Sequence, residues 1–353
     1  MTVFCALYSD LEQGEDPIVI SDVLITGGVR HSPDGERYRR TYIPSLGGTF
    51  PQVSSDFAIV GLGQKTYLTE SGNCFSVAGD LDLVKALHAQ LSAGNGVLHA
   101  LTTCAPLKDA DVQFAVFIAD DAGAPLNLLH SATCNVFRPG SYGRVVIGGS
   151  GENTLRKLVL RQQDTTKLTG DNAIAPIARA LCLINEALDW DESDPSETLG
   201  EKFGAYYEIA VYHNERFIKM GNIAHHFLTF KSEGDGGYWM YRKSYYHEYV
   251  GNDLVVRRIT VGHDDNQSVA WQDCYVIGGL NAPVDETTAR AHITGSAPTP
   301  AWEVLCLEVH GAVFRVVSSQ RHLLNIRMSE GKWYFSVDED LGKELAEEII
   351  AKI

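Results

Sequence analysis

The sequence contains no run of about 18 apolar residues, the length that a helix needs to cross a membrane. Its first residues also lack the basic stretch followed by an apolar stretch that is typical of a signal peptide. The composition, 44% hydrophobic and 21% charged, is that of ordinary soluble domains. These features predict a cytoplasmic protein with no membrane partner.

Positive charge is scarce. The chain has 29 Lys and Arg residues against 45 Asp and Glu residues, which gives a formal net charge of −16. The densest basic cluster, Arg37 with Arg39 and Arg40, is short and flanked by acidic residues. Because nucleic-acid phosphates are bound by clustered lysines and arginines, no nucleic-acid partner is expected.

Patterns that hold metals or nucleotides are missing as well. The seven cysteines are scattered through apolar segments without a CxxC pair, which predicts buried thiols in a reducing compartment. His225 and His226, with His213, do not form a metal site, since adjacent strand residues point to opposite faces. His247 and Glu248 add no ligand spacing, and the glycines at 148–151 lack nucleotide-binding spacings. No metal and no cofactor are therefore predicted.

Strand patterns dominate the chain. The apolar segment Val3–Leu7 predicts a buried strand, and 17–26 predicts a second strand that pairs with it as a hairpin. Asp22 interrupts this second strand; it needs hydrogen bonds or a charged partner if buried, and a solvent-facing edge position is the alternative. Polar residues at about 27–55 predict a surface insertion. Further strands are predicted at 57–62, 65–69, 74–79, 112–119, 126–131, 144–147, 206–213 and 216–220, and the chain from 225 to 337 is mainly strand-like.

Helical patterns are fewer. Asp80 is a suitable N-cap for a helix over 81–91. Two helices at 152–162 and 173–188 follow one another between sets of strands, which favours two sheets with helices packed outside them. The sequence also predicts an acidic linker at 189–195, a long loop at 282–300 and a last helix at 341–353.

The candidate chemistry lies at the start of the chain. If Met1 is removed, Thr2 carries a free α-amine whose ordinary pKa of about 7.7 to 8.0 allows it to activate its own hydroxyl. The alternative is that threonine at position 2 simply suits a strand. Cys5 is a weaker candidate nucleophile, because four residues would have to be removed to expose it and a cysteine in an apolar strand is typical of a core.

In the order of these elements, residues 1–225 resemble the proteasome-type N-terminal nucleophile (Ntn) hydrolases, which include proteasome β subunits, HslV and Anbu proteins. The resemblance implies that Thr2 is the nucleophile. It further implies that Asp22 orients a catalytic lysine, Lys65, and that Thr26 contacts the substrate backbone. The Gly79 amide would form the oxyanion hole, and Ser150 would lie near the N-terminal amine.

The sequence departs from this family in three places. The insertion between Thr26 and Lys65 is longer than usual in the family. The Asp-x-x-Ser-Gly segment corresponds to residues 201–205, where Glu201 replaces the aspartate as an accessory residue and Gly204 replaces the serine. The C-terminal residues have no recognised counterpart.

The resemblance implies an α+β fold, an Ntn-hydrolase αββα sandwich of two antiparallel sheets flanked by helices, with a β-rich C-terminal extension. The expected domains are 1–228, with the insertion at about 27–55, and a β-rich domain at 229–353 that ends in a helix.

The expected function is an N-terminal threonine peptidase that hydrolyses a peptide or protein substrate within a homo-oligomer. Two alternatives remain open, a catalytically inactive proteasome-like scaffold and an Ntn amidohydrolase for a small amide. The sequence does not identify a regulatory partner.

Overall fold

The computed structural model describes residues 3–8, 17–28, 41–50, 57–104, 112–118, 126–139, 143–165, 176–233, 236–264, 267–279, 299–329 and 332–343. Up to residue 165 the elements are β1 (Val3–Tyr8), β2 (Ile18–Asp22), β3 (Leu24–Gly28), β4 (Tyr42–Ile43), β5 (Gly48–Thr49), β6 (Phe57–Leu62), β7 (Thr66–Leu68), β8 (Cys74–Gly79), α1 (Leu81–Ser92), α2 (Val97–Thr103), β9 (Val112–Ile118), β10 (Asn127–His130), β11 (Asn135–Phe137), β12 (Arg144–Gly149) and α3 (Glu152–Thr165). After it come α4 (Pro176–Ser193), a short 3-10 turn (Leu199–Glu201), β13 (Tyr207–His213), β14 (Arg216–Lys219), β15 (Ile223–Glu233), β16 (Gly236–Val250), β17 (Asp253–Asp264), β18 (Gln267–Ile277), β19 (Trp302–Val309), β20 (Ala312–Ser318), β21 (Leu324–Ser329) and β22 (Lys332–Val337).

Three sheets form the body of the protein. The first sheet has the antiparallel order β11-β12-β1-β2-β13-β14, and the second sheet has the antiparallel order β10-β9-β8-β7. The third sheet has the order β18-β17-β16-β15-β19-β20, in which β15 and β19 run parallel and the other neighbours are antiparallel.

The central strand β1 is apolar throughout because both of its faces are covered. Phe4 and Ala6 contribute to the core between the first and second sheets. Val3, Cys5 and Leu7 point the other way and pack in the larger core with helices α3 and α4. Helices α1 and α2 cover the outer face of the second sheet with an apolar cluster of their own.

Helix α4 lies between two sheets. Its residues from Ala180 to Leu188 are all buried, and they share one core with strands of the first and third sheets. On the side of the third sheet, Arg315 of β20 donates from Nε to Asn185 Oδ1 at 3.1 Å, and its Nη1 lies 3.5 Å from Glu186 Oε2. The helix therefore has no solvent-exposed face over these nine residues, half of its length.

The expected fold class is therefore wrong. The described residues are richer in strand than an α+β Ntn sandwich flanked by helices, with 52% of them in strands and 22% in helices. The physical reason is that apolar residues of the third sheet, such as Val304, Cys306 and Val317, cover α4 from a second side, so that this helix separates two sheets instead of flanking a sandwich. The boundary expected between residues 228 and 229 falls within β15.

Local predictions fared better where a cap or a strong pattern specified them. The helix predicted at 81–91 is confirmed as α1, and the Asp80 side chain accepts hydrogen bonds from the amides of Asp82 and Leu83. The acidic linker predicted at 189–195 is wrong, because α4 continues to Ser193. The strand-rich character predicted from 225 onward is confirmed by β15 to β22.

Part of the expected insertion at 27–55 is described. Strand β3 pairs with β6, and β4 pairs with β5. The turn after β4 is anchored by a hydrogen bond from Ser45 N to Ala205 O and by one from the Tyr245 hydroxyl to Ser45 O. The rest of the insertion, most of the loop predicted at 282–300 and residues 344–353 lie outside the described residues.

Among the described residues, no helix has the length and apolarity that a membrane crossing requires.

Candidate active site

Asp22 is the last residue of β2, and it is completely buried. Its Oδ1 accepts a hydrogen bond from Val3 N at 2.8 Å, and its Oδ2 accepts hydrogen bonds from Leu24 N at 3.1 Å and Gly204 N at 3.0 Å. A buried carboxylate is costly unless donors replace its water. These amides and the neighbouring Lys65 supply the donors, which explains how a charged residue can end an apolar strand.

Lys65 lies in the connection between β6 and β7, with 7% of its surface exposed. Its Nζ donates to both oxygens of Asp22, at 3.0 and 3.1 Å, and also to Leu24 O. These three acceptors match the three N–H groups of an ammonium ion. Burial lowers the pKa of Lys65, and the negative charges of Asp22 and Glu208 oppose that effect.

Thr2 lies outside the described residues, and Val3 is the first residue that the structure describes. The register pairs Val3 of β1 with Gly149 of β12. Ser150 follows directly after β12 and is half-buried. The start of β1 is thus placed beside the end of the strand that leads to Ser150.

Gly79 ends β8 with a φ of +141°, a conformation that favours glycine. It pairs with Val112 at the start of β9, and Gln113, the next residue of β9, accepts a hydrogen bond from Gly149 N through its side chain. Gln113, which pairs with Ala78 near the end of β8, therefore connects this strand end with Gly149, the residue before Ser150.

Thr26 and Glu201 are two further residues predicted for the site. Thr26 is half-buried in β3, where it pairs with Ile59 of β6. Glu201 ends the short 3-10 turn with an exposed side chain. In the same segment, the backbone amide of Gly204 donates a hydrogen bond to Asp22.

The backbone requires a glycine at position 204, where the motif of the resembled family has a serine. Its φ is +107°, and a Cβ there would lie 2.7 Å from Asp191 Oδ1. Asp191 is buried in α4, and its Oδ2 accepts a hydrogen bond from Ala205 N at 2.9 Å. Desolvation raises the pKa of Asp191 to about 7. Asp191 therefore holds the chain on one side of Gly204 while Asp22 holds the Gly204 amide.

Glu208 is a site residue that the sequence reasoning missed. It is completely buried in β13, and its Oε1 accepts hydrogen bonds from Lys65 N at 2.5 Å and Thr66 N at 2.7 Å. Its Oε2 lies 2.7 Å from Lys219 Nζ. The signal was present, because Glu208 interrupts the apolar strand β13 just as Asp22 interrupts β2.

A row of hydroxyl groups also ends at Glu208. Ser21 Oγ donates to Glu208 Oε1 at 3.1 Å and lies 2.7 Å from Thr66 Oγ1, which lies 3.0 Å from Ser76 Oγ. All of these residues are buried. They connect the first sheet with the second sheet through polar contacts beside Lys65.

The remaining candidates are structural in character. Burial raises the pKa of Cys5, which disfavours a reactive thiolate. His225 and His226 are both buried in β15, and desolvation lowers the pKa of His225 well below its ordinary value. Within the described ranges, no group of three or more His, Cys, Asp or Glu residues could hold a metal ion.

No model of a known protein family matches this chain, and a comparison with curated proteins finds no significant match.

Proposed function

We propose that this chain is a cytoplasmic threonine-type hydrolase that cleaves peptide bonds, with Thr2 as its nucleophile after removal of Met1. The observation that carries the proposal is the buried ion pair of Lys65 and Asp22, whose carboxylate also holds the Val3 amide at 2.8 Å. A homo-oligomer that encloses the sites belongs to the same proposal.

The charged pair lies close to the start of β1. Val3 N and Lys65 Nζ share the acceptor Asp22 Oδ1, at 2.8 and 3.0 Å, so they can be no farther apart than these two distances combined. One residue's backbone separates Val3 N from the Thr2 α-amine. A nearby cation lowers the pKa of an amine, which favours the neutral form that can accept a proton.

The chemistry then follows the N-terminal nucleophile scheme. The Thr2 hydroxyl attacks the carbonyl carbon of the substrate, and its proton passes to the Thr2 α-amine. The tetrahedral intermediate collapses as the amine returns the proton to the departing nitrogen, which leaves an ester on Thr2. Water activated by the same amine hydrolyses the ester and restores the free hydroxyl.

The negative oxygen of the intermediate needs a donor. Gly79 is the proposed donor, since it lies where β8 ends and just before the N-cap of α1. The partial positive charge at a helix N-terminus adds to the effect of a nearby amide. Ser150, which follows β12, is proposed to contact the N-terminal amine.

The first test is the intact mass of the protein after expression in the cytoplasm. Loss of Met1 is expected, and the processed protein should hydrolyse members of a peptide library. Thr2→Ala should abolish hydrolysis, Thr2→Ser should retain part of it, and Lys65→Met should lower it strongly. Lys157→Met, in which an exposed lysine of α3 is replaced, is the matched control.

Full retention of Met1 without hydrolysis would overturn the proposal and favour a catalytically silent scaffold. Equal hydrolysis by Thr2→Ala would overturn Thr2 as the nucleophile. Cleavage of small amides without cleavage of peptides would assign the same nucleophile to another substrate class. Circular dichroism of each variant separates loss of activity from loss of fold.

A further inference from the structure

The connection that carries Lys65 is held from two sides. On one side, Glu208 of β13 accepts hydrogen bonds from the backbone amides of Lys65 and Thr66, at 2.5 and 2.7 Å. Both amides converge on the same buried oxygen, Oε1. These two hydrogen bonds fix the backbone on both sides of the Lys65 Cα, from which the side chain extends.

On the other side, Gln64 reaches into the end of the third sheet. Its Nε2 donates to Asn252 O at 2.7 Å and to Ile277 O at 2.8 Å, and its backbone N donates to Gly278 O at 3.0 Å. Asn252 lies in the turn between β16 and β17, and Ile277 ends β18. Gln64 is itself 2% exposed.

Lys219 joins the two anchors. Its Nζ donates to Gln64 Oε1 at 2.5 Å and to Glu208 Oε2 at 2.7 Å. Lys219 thereby connects Gln64, the residue before Lys65, with Glu208, whose carboxylate accepts the Lys65 amide. In this arrangement Glu208 uses both of its oxygens, and the Gln64 amide group uses both its oxygen and its nitrogen.

We propose that Glu208 and Gln64 are positioning residues for Lys65, and that through Gln64 the third sheet forms part of the active-site scaffold. The inference rests on the proposed function, in which Lys65 is the cation beside the nucleophile. The Lys65 Nζ contacts Asp22 and Leu24 at hydrogen-bonding distance, so a small shift of its backbone would break these contacts. Catalytic groups tolerate little displacement of this kind.

The test compares Glu208→Gln and Gln64→Met with a matched control, Glu303→Gln. Glu303 is a similarly buried carboxylate in β19 that accepts two backbone amides, from Leu323 at 2.6 Å and Leu324 at 3.2 Å. It serves a different part of the third sheet and does not contact the connection that carries Lys65. All three variants lose buried hydrogen bonds, but only the first two act on that connection.

Two readouts are needed. The first is peptide hydrolysis as a function of pH: Glu208→Gln and Gln64→Met should lower kcat by about tenfold to a hundredfold with little change in KM. The negative charge of Glu208 raises the pKa of Lys65, so its removal should also move the basic limb of the pH profile to lower pH. Glu303→Gln should leave this profile in place.

The second readout does not depend on activity. Hydrogen exchange of a peptide spanning 63–68 should accelerate in Glu208→Gln, because an amide oxygen accepts the Lys65 and Thr66 amides more weakly than a carboxylate and the new NH2 group cannot accept from Lys219. It should also accelerate in Gln64→Met, where the connection loses its hydrogen bonds to the third sheet, and should stay unchanged in Glu303→Gln. If the two variants exchange faster than wild type but the wild-type protein has no hydrolytic activity, the positioning is supported and the proposed function is overturned. Unchanged exchange and an unchanged pH profile in an active enzyme would overturn the positioning alone.

Discussion

Asp22 and Lys65 form an ion pair in which Lys65 Nζ lies 3.0 Å from Asp22 Oδ1, and both side chains are buried. The same carboxylate oxygen accepts the Val3 amide, the first backbone group of β1 that the structure describes. A buried charged pair is therefore built in beside the start of the central strand β1. Removing either partner would leave an uncompensated charge in the core.

The stability of this pair can be measured directly. Lys65→Met should lower the free energy of unfolding by about 3 to 5 kcal/mol, because it leaves the Asp22 carboxylate without its cation. The double variant Asp22→Asn with Lys65→Met should cost less than the sum of the two single variants, since they share one interaction. Urea unfolding gives each value, and Lys157→Met, on the exposed face of α3, should stay within about 0.5 kcal/mol of wild type. An equal effect of Lys65→Met and Lys157→Met would contradict the structural role of the pair.

Gly204 gives a second prediction. Gly204→Ala should destabilise the protein by more than about 1 kcal/mol, because an alanine is strained at a φ of +107° and its Cβ would lie 2.7 Å from Asp191 Oδ1. Gly200→Ala in the preceding 3-10 turn is the matched control, since its nearest neighbours would be 3.9 Å away. Thermal unfolding of the two variants should therefore separate clearly, and similar Tm values would count against the described backbone of the 200–205 segment.

The buried carboxyl of Asp191 should make stability depend on pH. Desolvation raises its pKa from an ordinary value of 3.8 to about 7. Between these values the native state holds a proton that the unfolded chain has lost, so this contribution to stability decreases as pH rises, by roughly 1.4 kcal/mol per pH unit. It is fully present below about pH 4 and lost above about pH 7.

The measurement is the difference in unfolding free energy between wild type and Asp191→Asn from about pH 4 to pH 8. The difference should fall as pH rises and then level. The comparison with a variant is needed because His247, whose pKa burial lowers to about 4, acts in the opposite direction over part of this range. A difference that stays constant with pH would show that Asp191 does not titrate as expected.

Thiol reactivity tests the burial of the core. Cys104 is half-buried at the end of α2, whereas Cys5, Cys74 and Cys182 are buried, and burial raises the pKa of each of these thiols. A thiol reagent should therefore label the two half-buried thiols, Cys104 and Cys274, in the native protein, with the buried thiols reacting only after unfolding. Mass mapping of the labelled peptides gives the order, and guanidinium-unfolded protein, in which all seven cysteines should react, is the control. Early labelling of Cys5 would contradict the described core.

Local features of the fold were predictable from short stretches of sequence. The apolar pattern of β1 and the helix α1 with its Asp80 N-cap are both present. Each depends on contacts within a few residues, such as the bond from Asp82 N to Asp80 Oδ1 at 2.9 Å. Because these contacts join neighbours in the sequence, the element can be predicted without knowledge of the rest of the fold.

Helix α4 shows where such reasoning fails. The acidic residues from Asp189 onward were expected to form a linker, yet they continue the helix because tertiary contacts hold them. Asp191 accepts the Ala205 amide, and Glu192 lies 2.5 Å from Lys243 Nζ on β16. A run of acidic residues predicts an exposed segment only when no donor from a distant part of the chain binds it. For Glu192 that donor, Lys243, lies more than 50 residues further along the chain.

The sequence by itself determined locally specified elements such as β1 and the capped helix α1, and that a carboxylate interrupts the apolar strand β2. Only the tertiary structure decided the partners of the charged residues. Asp22 meets Lys65 across 43 positions of the chain, and Glu208 meets the Lys65 amide across 143. The tertiary structure also placed α4 between two sheets. The physical reason is that side-chain periodicity specifies which face of a strand or helix is buried, whereas the group that meets that face is specified by the packing of the whole chain.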